Sequence, residues 1–272
     1  MNQATFDYIC MNELYNIEGQ LAFFYADEKV DFPVQSVEVN AIWRAITEAV
    51  KDRYKWAIFS DDDGTGYLYG LTSLHMSSKV MPNWLWATFE HVDNAYRRGP
   101  HDEGWLIPSS DSTACSQAPY DCNEAPTWLM GIGGTAFENY RLRGTQIDYT
   151  DSYGVPILLA NSELETSFQR TTSCITCHGR ATIASPVNEA AEFEFGAGLA
   201  DHPLSSPDVV RLSVFDVTED GREVGHVGAP DPAWYALPST GVNSRDRMLQ
   251  LDFVWSLTKA QSRITDTSDD ND

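Results

Sequence analysis

The first apolar groups of the chain, Leu14-Tyr15-Asn16-Ile17 and Leu21-Ala22-Phe23-Phe24, recur at helical spacing, and the segment up to about Lys29 is predicted to hold one or two short helices. After Pro33 the period changes. Val37, Val39, Ala41 and Trp43 alternate with Glu38, Asn40 and Ile42 in the rhythm of a strand. Ile42, Ala45, Ile46, Ala49 and Val50 then follow the i, i+3, i+4, i+7, i+8 rhythm of a helix, so a strand running into a helix near Ala41 satisfies both patterns. Residues 54–60 and 67–76 flank Asp61-Asp62-Asp63-Gly64-Thr65-Gly66, whose turn chemistry predicts a hairpin. The adjacent carboxylates also raise a calcium reading, but the glycine comes too early for a helix-loop-helix calcium loop, and a solvated turn accounts for them. In Asn83-Trp84-Leu85-Trp86-Ala87-Thr88-Phe89-Glu90-His91 both faces are largely apolar, which predicts a strand in the middle of the structure, ending at the turn Val92-Asp93-Asn94.

Residues 100–126 are rich in Pro, Ser, Asp and Gly and read as a long surface loop. A hairpin is expected from residues 140–149 and 155–160, joined through residues 150–154. Ser162 and Glu165 form a capping-box signature for a short helix from Glu163 to about Arg170. Further strands are expected over residues 209–217, turning at Glu219-Asp220-Gly221, and over residues 248–257. No internal repeat and no long Gly/Ser linker divides the chain, so residues 1–262 are read as one domain and the acidic residues 263–272 as a disordered tail. The fold class is α+β: strand-dominated, with a mainly antiparallel sheet and short helices.

Candidate chemistry centres on Cys174-Ile175-Thr176-Cys177-His178. In a C-x-x-C-H peptide two thiols three positions apart can each add to a vinyl group of one haem, while the adjacent imidazole binds iron. A thioredoxin-type redox pair would need a strand-helix context that the flanking residues do not offer. A structural zinc site would need two more ligands, for which Cys115 and Cys122 offer themselves at a wide C-x6-C spacing. Chance occurrence is the remaining alternative. The sequence favours a single covalently bound haem c, with His178 as proximal ligand and its second ring nitrogen donating to a carbonyl.

Haem c is attached outside the cytoplasmic membrane, so a periplasmic or extracellular location is expected. Met1-Asn2-Gln3-Ala4-Thr5 has no signal-peptide character, and the numbering is taken to start after a removed leader. No run of eighteen apolar residues suggests a membrane span. Forty acidic and eighteen basic residues give a formal charge of -22, which disfavours nucleic acid and fits either a solvated surface or a steering field for a basic redox partner. Cys115 and Cys122 can close a disulfide across a polar loop. Cys10, in Tyr8-Ile9-Cys10-Met11, reads as a buried unreactive thiol.

In an α+β chain with 173 residues ahead of the motif, the ordinary helical cytochrome c fold is disfavoured. The haem is expected to pack on the antiparallel sheet, with Trp84 and Trp86 as porphyrin wall. The opposite axial position decides between a six-coordinate carrier and an open site. His75, Met76, Met81, His91, His101, Met130, His202, His226 and Met248 are candidates for it. His91 and His75, each following an apolar strand-like segment, lead; His91 shares the alternation parity of Leu85, Ala87 and Phe89. Glu90 beside His91 suggests an acid/base pair or, more simply, an exposed carboxylate.

Four segments carry a resemblance: Gly70-Leu71-Thr72-Ser73-Leu74-His75, Pro82-Asn83-Trp84-Leu85-Trp86-Ala87-Thr88-Phe89-Glu90-His91-Val92-Asp93-Asn94, Ser173-Cys174-Ile175-Thr176-Cys177-His178 and Leu251-Asp252-Phe253-Val254-Trp255-Ser256. They resemble a family of bacterial proteins with one c-type haem and no assigned activity. More distantly the order of parts is similar to the β-sheet cytochromes related to cytochrome c prime beta, some of which bind nitric oxide or oxidise hydroxylamine through a lysine-crosslinked haem. Those are shorter, and the stretch after His178 departs from them. The resemblance implies a protein with one haem c; the expected function is that of an exported monohaem cytochrome that transfers electrons to a redox partner protein. Its alternative is a haem enzyme or gas binder with an open distal site for nitric oxide, peroxide or small nitrogen oxides. It also makes Lys79 the crosslink candidate.

Overall fold

The computed structural model describes residues 1–60, 62, 64–96, 133–165, 168–184, 211–212, 215–235 and 248–263. The expectations for the loop at 100–126, for Cys115 and Cys122, for His101, Met130 and His202, and for residues 264–272 lie outside the described residues. Arg263, placed above in the tail, is described and pairs with Glu13 at 2.7 Å.

Both N-terminal helices form. Helix α1 (Gln3–Met11) starts where the Asn2 side chain accepts from Thr5 N–H, and α2 (Ile17–Ala26) where Asn16 accepts from Gly19 N–H at 2.8 Å. In α1, Thr5 and Ile9 face inward, which turns the neighbouring Cys10 outward; its thiol is exposed, not buried as the sequence suggested.

A five-stranded antiparallel sheet follows. Strands β1 (Val37–Ala45), β2 (Trp56–Ser60), β3 (Gly66–Ser78), β4 (Leu85–His91) and β5 (Tyr140–Gln146) make it. β1 runs along one edge of β3; β2 and then β4 share the other, and β5 completes the order β1-β3-β4-β5. The expected hairpin is thus present as β2 and β3, with Phe59 opposite Tyr67. β4 is central, as its two apolar faces required.

Five expected elements differ: among the described residues the strand expected over residues 209–217 is present only at Asp216–Val217, and each of the other four has an identifiable reason. The helix expected from Ile42 is instead a continuation of β1 to Ala45, followed by a 3-10 turn over Glu48–Arg53. The successive Ile42 and Trp43, which broke the alternation, are absorbed by a bulge: Ile42 faces Ser73, Trp43 faces Leu71, and the Thr72 between them donates to Ile42 O. The second arm of the hairpin after β5 is reduced to a bridge between Thr150 and Pro156, a residue with no N–H for a ladder. The capping-box helix is absent over the described residues 163–165, because Ser162 gives both its N–H and its hydroxyl to Glu90. The last expected strand is limited to β9 (Leu249–Gln250), since Asp252 and Phe253 take positive φ and the chain then enters a 3-10 turn, Trp255–Lys259.

The remaining elements are α3 (Cys174–Gly179), β6 (Thr182–Ile183), which pairs with β9, and the small hairpin of β7 (Asp216–Val217) and β8 (Glu223–Val224). The core joins both ends of the chain: Leu14, Ile17 and Phe24 pack in one cluster with Trp84, Trp86, Ile175, Ile183, Leu251, Val254 and Leu257. The Gln20 side chain, fully buried, donates to Leu14 O and Leu257 O at 2.7 and 2.9 Å and stitches α2 to the last turn. Among the described residues no helix is long and apolar enough to cross a membrane.

Gly19 gives a direct test of the N-terminal packing. A Cβ there would lie 2.2 Å from Glu13 O, a backbone atom that cannot swing away. Helix propensity alone favours Gly19→Ala by about 1 kcal/mol, whereas overpacking costs about 1–3 kcal/mol. Urea unfolding is expected to show a net loss of stability; a gain would mean that α2 is not seated on the Glu13 turn.

Candidate functional site

Register places the site on one face of the sheet. Ser73 lies opposite Glu90, His75 opposite Thr88, Ser77 opposite Trp86, and Trp86 opposite Gln146. Cross-strand partners share a face, so His75, Trp86, Thr88, Glu90 and Gln146 look one way. Leu85, Ala87, Phe89 and His91 look the other.

The C-x-x-C-H peptide is α3, and it docks on the His75 and Trp86 face. Gln146, buried on β5, holds its N-terminus: its Oε1 accepts from Ile175 N–H at 3.2 Å and its Nε2 donates to Ser173 Oγ at 2.7 Å. Cys174 N–H donates to Leu159 O, and Thr176 Oγ1 donates to Gly228 O at 2.7 Å. Tyr235 OH donates to Gly179 O at 2.9 Å. Gly225 is needed here, as a Cβ would come within 2.6 Å of Thr172 beneath the helix.

The reactive groups point to different surroundings. Cys174 Sγ donates to Leu159 O at 3.3 Å, whereas Cys177 Sγ lies 2.9 Å from Thr172 Oγ1 and 3.8 Å from His226 O. The two cysteines are free thiols, and desolvation raises the pKa of each. His178 Nδ1 donates to Phe253 O at 2.8 Å. A carbonyl only accepts, so Nδ1 carries the proton and Nε2 a lone pair. The ring lies 4.3 Å from Trp86, centroid to centroid, and the Phe253 ring lies 6.2 Å from the same indole. Burial lowers the His178 pKa, partly offset by the Phe253 bond.

His75 is the second histidine on this face. Its Nε2 is buried without a hydrogen-bond partner among the described residues. Burial, reinforced by the charge of His178, pushes its pKa down to about 4, so the ring is neutral at ordinary pH. His91 is elsewhere: fully buried on the opposite face and stacked on Tyr54 at 3.8 Å. Its Nε2 donates to Arg53 O at 2.8 Å and its Nδ1 accepts from Asp93 N–H at 3.1 Å. The parity that linked His91 to Ala87 and Phe89 is real, but α3 covers the other face. His91 is therefore not brought to the peptide.

Trp86 lies beside His178, while Trp84 is one step removed, buried in the core with its Nε1 on Asp252. Met76 is directed to the opposite face, and Met248 is packed in the core, accepting from Thr182 Oγ1 at 3.7 Å. His226 stands behind Cys177 with its ring 5.2 Å from Trp234; burial, then the Arg180 charge, lowers its pKa to about 4. Glu90, expected at an exposed position, is 2% exposed and held by Ser162 and by Arg143 at 3.3 Å; it points away from His91 and does not pair with it. Lys79, expected as a solvated turn residue or a crosslink, is buried against Asp252 at 2.7 Å. Sequence reasoning missed Gln146, Thr172, Asp252 and Phe253 as parts of the site, since each acts through a contact made by folding that no motif spacing encodes.

No protein-family model, curated protein or solved structure matches this chain. Function therefore rests on its own geometry. Among the described residues no group of three or more His, Cys, Asp or Glu side chains converges as a metal site; Cys115 and Cys122, the further ligands a zinc centre would need, lie outside those residues.

Glu165, whose carboxylate accepts from Asn161 N–H at 2.6 Å, is pushed up to about 7 by burial, with the Glu90 charge adding to the rise. A carboxyl raised in the folded state stabilises fully below its ordinary value of 4.5 and loses that contribution as pH rises through about 7. Glu165→Gln is expected to flatten the stability profile across that window and to exceed the parent above it by up to about 3 kcal/mol. Denaturant titrations at several pH values check this; parallel profiles would contradict it.

Proposed function

We propose that Cys174 and Cys177 carry one haem c through thioether bonds, with His178 Nε2 and His75 Nε2 as its two axial ligands, in an exported single-haem electron-transfer protein. The observation that carries this reading is the matched state of the two rings. His178 is anchored through Nδ1, which leaves the Nε2 lone pair for iron. His75 lies on the same sheet face as Trp86, which packs against His178, and keeps a buried Nε2 with no partner among the described residues. Neutral imidazole with a fixed tautomer is the commonest protein ligand for such a metal.

Bound haem supplies one-electron chemistry; the chain supplies attachment, ligands and surroundings. Trp86 and Phe253 give aromatic cover beside His178 and restrict water there. The two thiols sit at i and i+3 of one short helix, held in place by Gln146 and Gly228. The charge of -22 suits recognition of a basic redox partner and a periplasmic or extracellular setting. Lys79 is committed to Asp252, so a lysine crosslink is not part of the proposal.

Expression with a cytochrome c maturation system tests attachment. Haem should resist acid-acetone extraction in the parent and be extracted from a Cys174→Ala/Cys177→Ala variant. The parent should show a low-spin spectrum insensitive to carbon monoxide. His75→Ala should turn it high-spin and open to carbon monoxide, while His91→Ala should leave the ligation unchanged. A parent that is high-spin and binds carbon monoxide would replace the carrier with the gas-binding or enzymatic alternative.

A further inference from the structure

The acceptor for His178 comes from an uncommon backbone. Asp252 and Phe253 are consecutive non-glycine residues at φ 48° and 67°. Such conformations are strained for non-glycine residues and persist where the surroundings over-determine them. Here the surroundings converge on the Asp252 carboxylate, which is 8% exposed. Lys79 Nζ donates to both its oxygens at 2.7 and 2.8 Å, Phe32 N–H to Oδ2 at 2.7 Å, and Trp84 Nε1 to Oδ1 at 3.3 Å. Trp84 is itself at φ 62°. Lys79 reaches Asp31 at 3.0 Å and Pro82 O at 3.4 Å as well, so the turn before β4 and the turn after β9 are tied at one point.

A buried ion pair is weak evidence for stability, because desolvation offsets most of the attraction. What this pair does is fix the direction of the next peptide group. We infer that Lys79 and Asp252 form a clamp that aims the Phe253 carbonyl at His178 Nδ1–H and so sets how strongly His178 Nε2 donates electrons. Both are positioning residues, acting through the backbone and touching neither thiol. The inference rests on the haem reading above for its redox consequence, though not for the geometry of the clamp. A firm Nδ1–H bond makes the ring a stronger donor, favours the oxidised metal and lowers the potential. Relaxing the turn weakens that bond.

The test compares midpoint potentials of the haem-loaded parent, Asp252→Asn, Lys79→Met and Lys79→Arg. If the clamp acts by aiming the carbonyl, Asp252→Asn and Lys79→Met both shift the potential upward, and Lys79→Arg, which keeps charge and donors, stays near the parent. A bare charge effect moves the first two in opposite directions, since one removes a negative and the other a positive group. Opposite shifts, or none in either, would overturn the clamp. Where a variant fails to load haem, histidine-selective nitrogen NMR of the haem-free chains decides. The parent and Lys79→Arg should hold His178 as the Nδ1–H tautomer, and Asp252→Asn and Lys79→Met should lose that preference; an unchanged tautomer in both of the latter overturns the inference. A parent that never takes up haem ends the functional proposal and leaves the clamp to be judged by the tautomer alone.

Discussion

A peptide carbonyl can only accept a hydrogen bond, and that constraint at Phe253 settles the tautomer of the neutral His178 ring. With Nδ1 occupied, His178 has one nitrogen left for chemistry, and its orientation is set by the same contact. Much of the surrounding structure keeps donor and acceptor in place. Gln146 fixes where α3 begins, Trp86 limits where the ring can tilt, and the Asp252 network fixes where the carbonyl points. The support comes from a strand, a turn and a helix that are far apart in the chain.

The sheet face beneath α3 is divided in its chemistry. Toward one end its polar groups are paired: Asn161 donates to Thr88 Oγ1 at 2.8 Å, and Ser162 and Arg143 hold Glu90. Arg44, Thr72 and Glu163 extend the same network, with Arg44 and Glu163 in direct contact. Toward the other end lie Trp86 and His75. Ser73 Oγ and His75 Nε2 are the buried atoms of this face that lack partners among the described residues, and of the two only imidazole nitrogen is a usual metal ligand. Buried polar groups in folded proteins are ordinarily bonded. A neutral histidine with an unpartnered buried ring nitrogen, on the same face as the held Glu90 carboxylate, marks where this face differs from an ordinary core.

Elements whose residues all repeat one period were legible in advance: the two N-terminal helices, the β2 and β3 hairpin and the central β4. The pentapeptide was legible because its chemistry lies in five adjacent residues. The remainder depends on what a distant segment offers. Ile42 and Trp43 read as the start of a helix because a bulge breaks alternation as a change of period does. Ser162 and Glu165 have the spacing of a capping box, yet Glu90, from β4, outcompetes the local bond. His91 and His75 are both strand histidines with apolar neighbours, and only the register of β3, β4 and β5 tells which face receives α3. Asp252-Phe253-Val254 has strand-forming composition, so nothing local announces two left-handed residues there.

The pairing of Phe253 with His178 also fixes an order of events. His178 and its acceptor are 75 residues apart, while Asp252 meets Phe32 across 220 residues and Gln20 meets Leu257 across 237. Loops of that length close late, after local elements have formed, because their chain entropy must be overcome before any contact rewards it. In a growing or refolding chain the α3 peptide is therefore complete as a sequence well before its imidazole acquires an acceptor. The ring's proton is locked to one nitrogen only when the segment that carries Phe253 packs against α3.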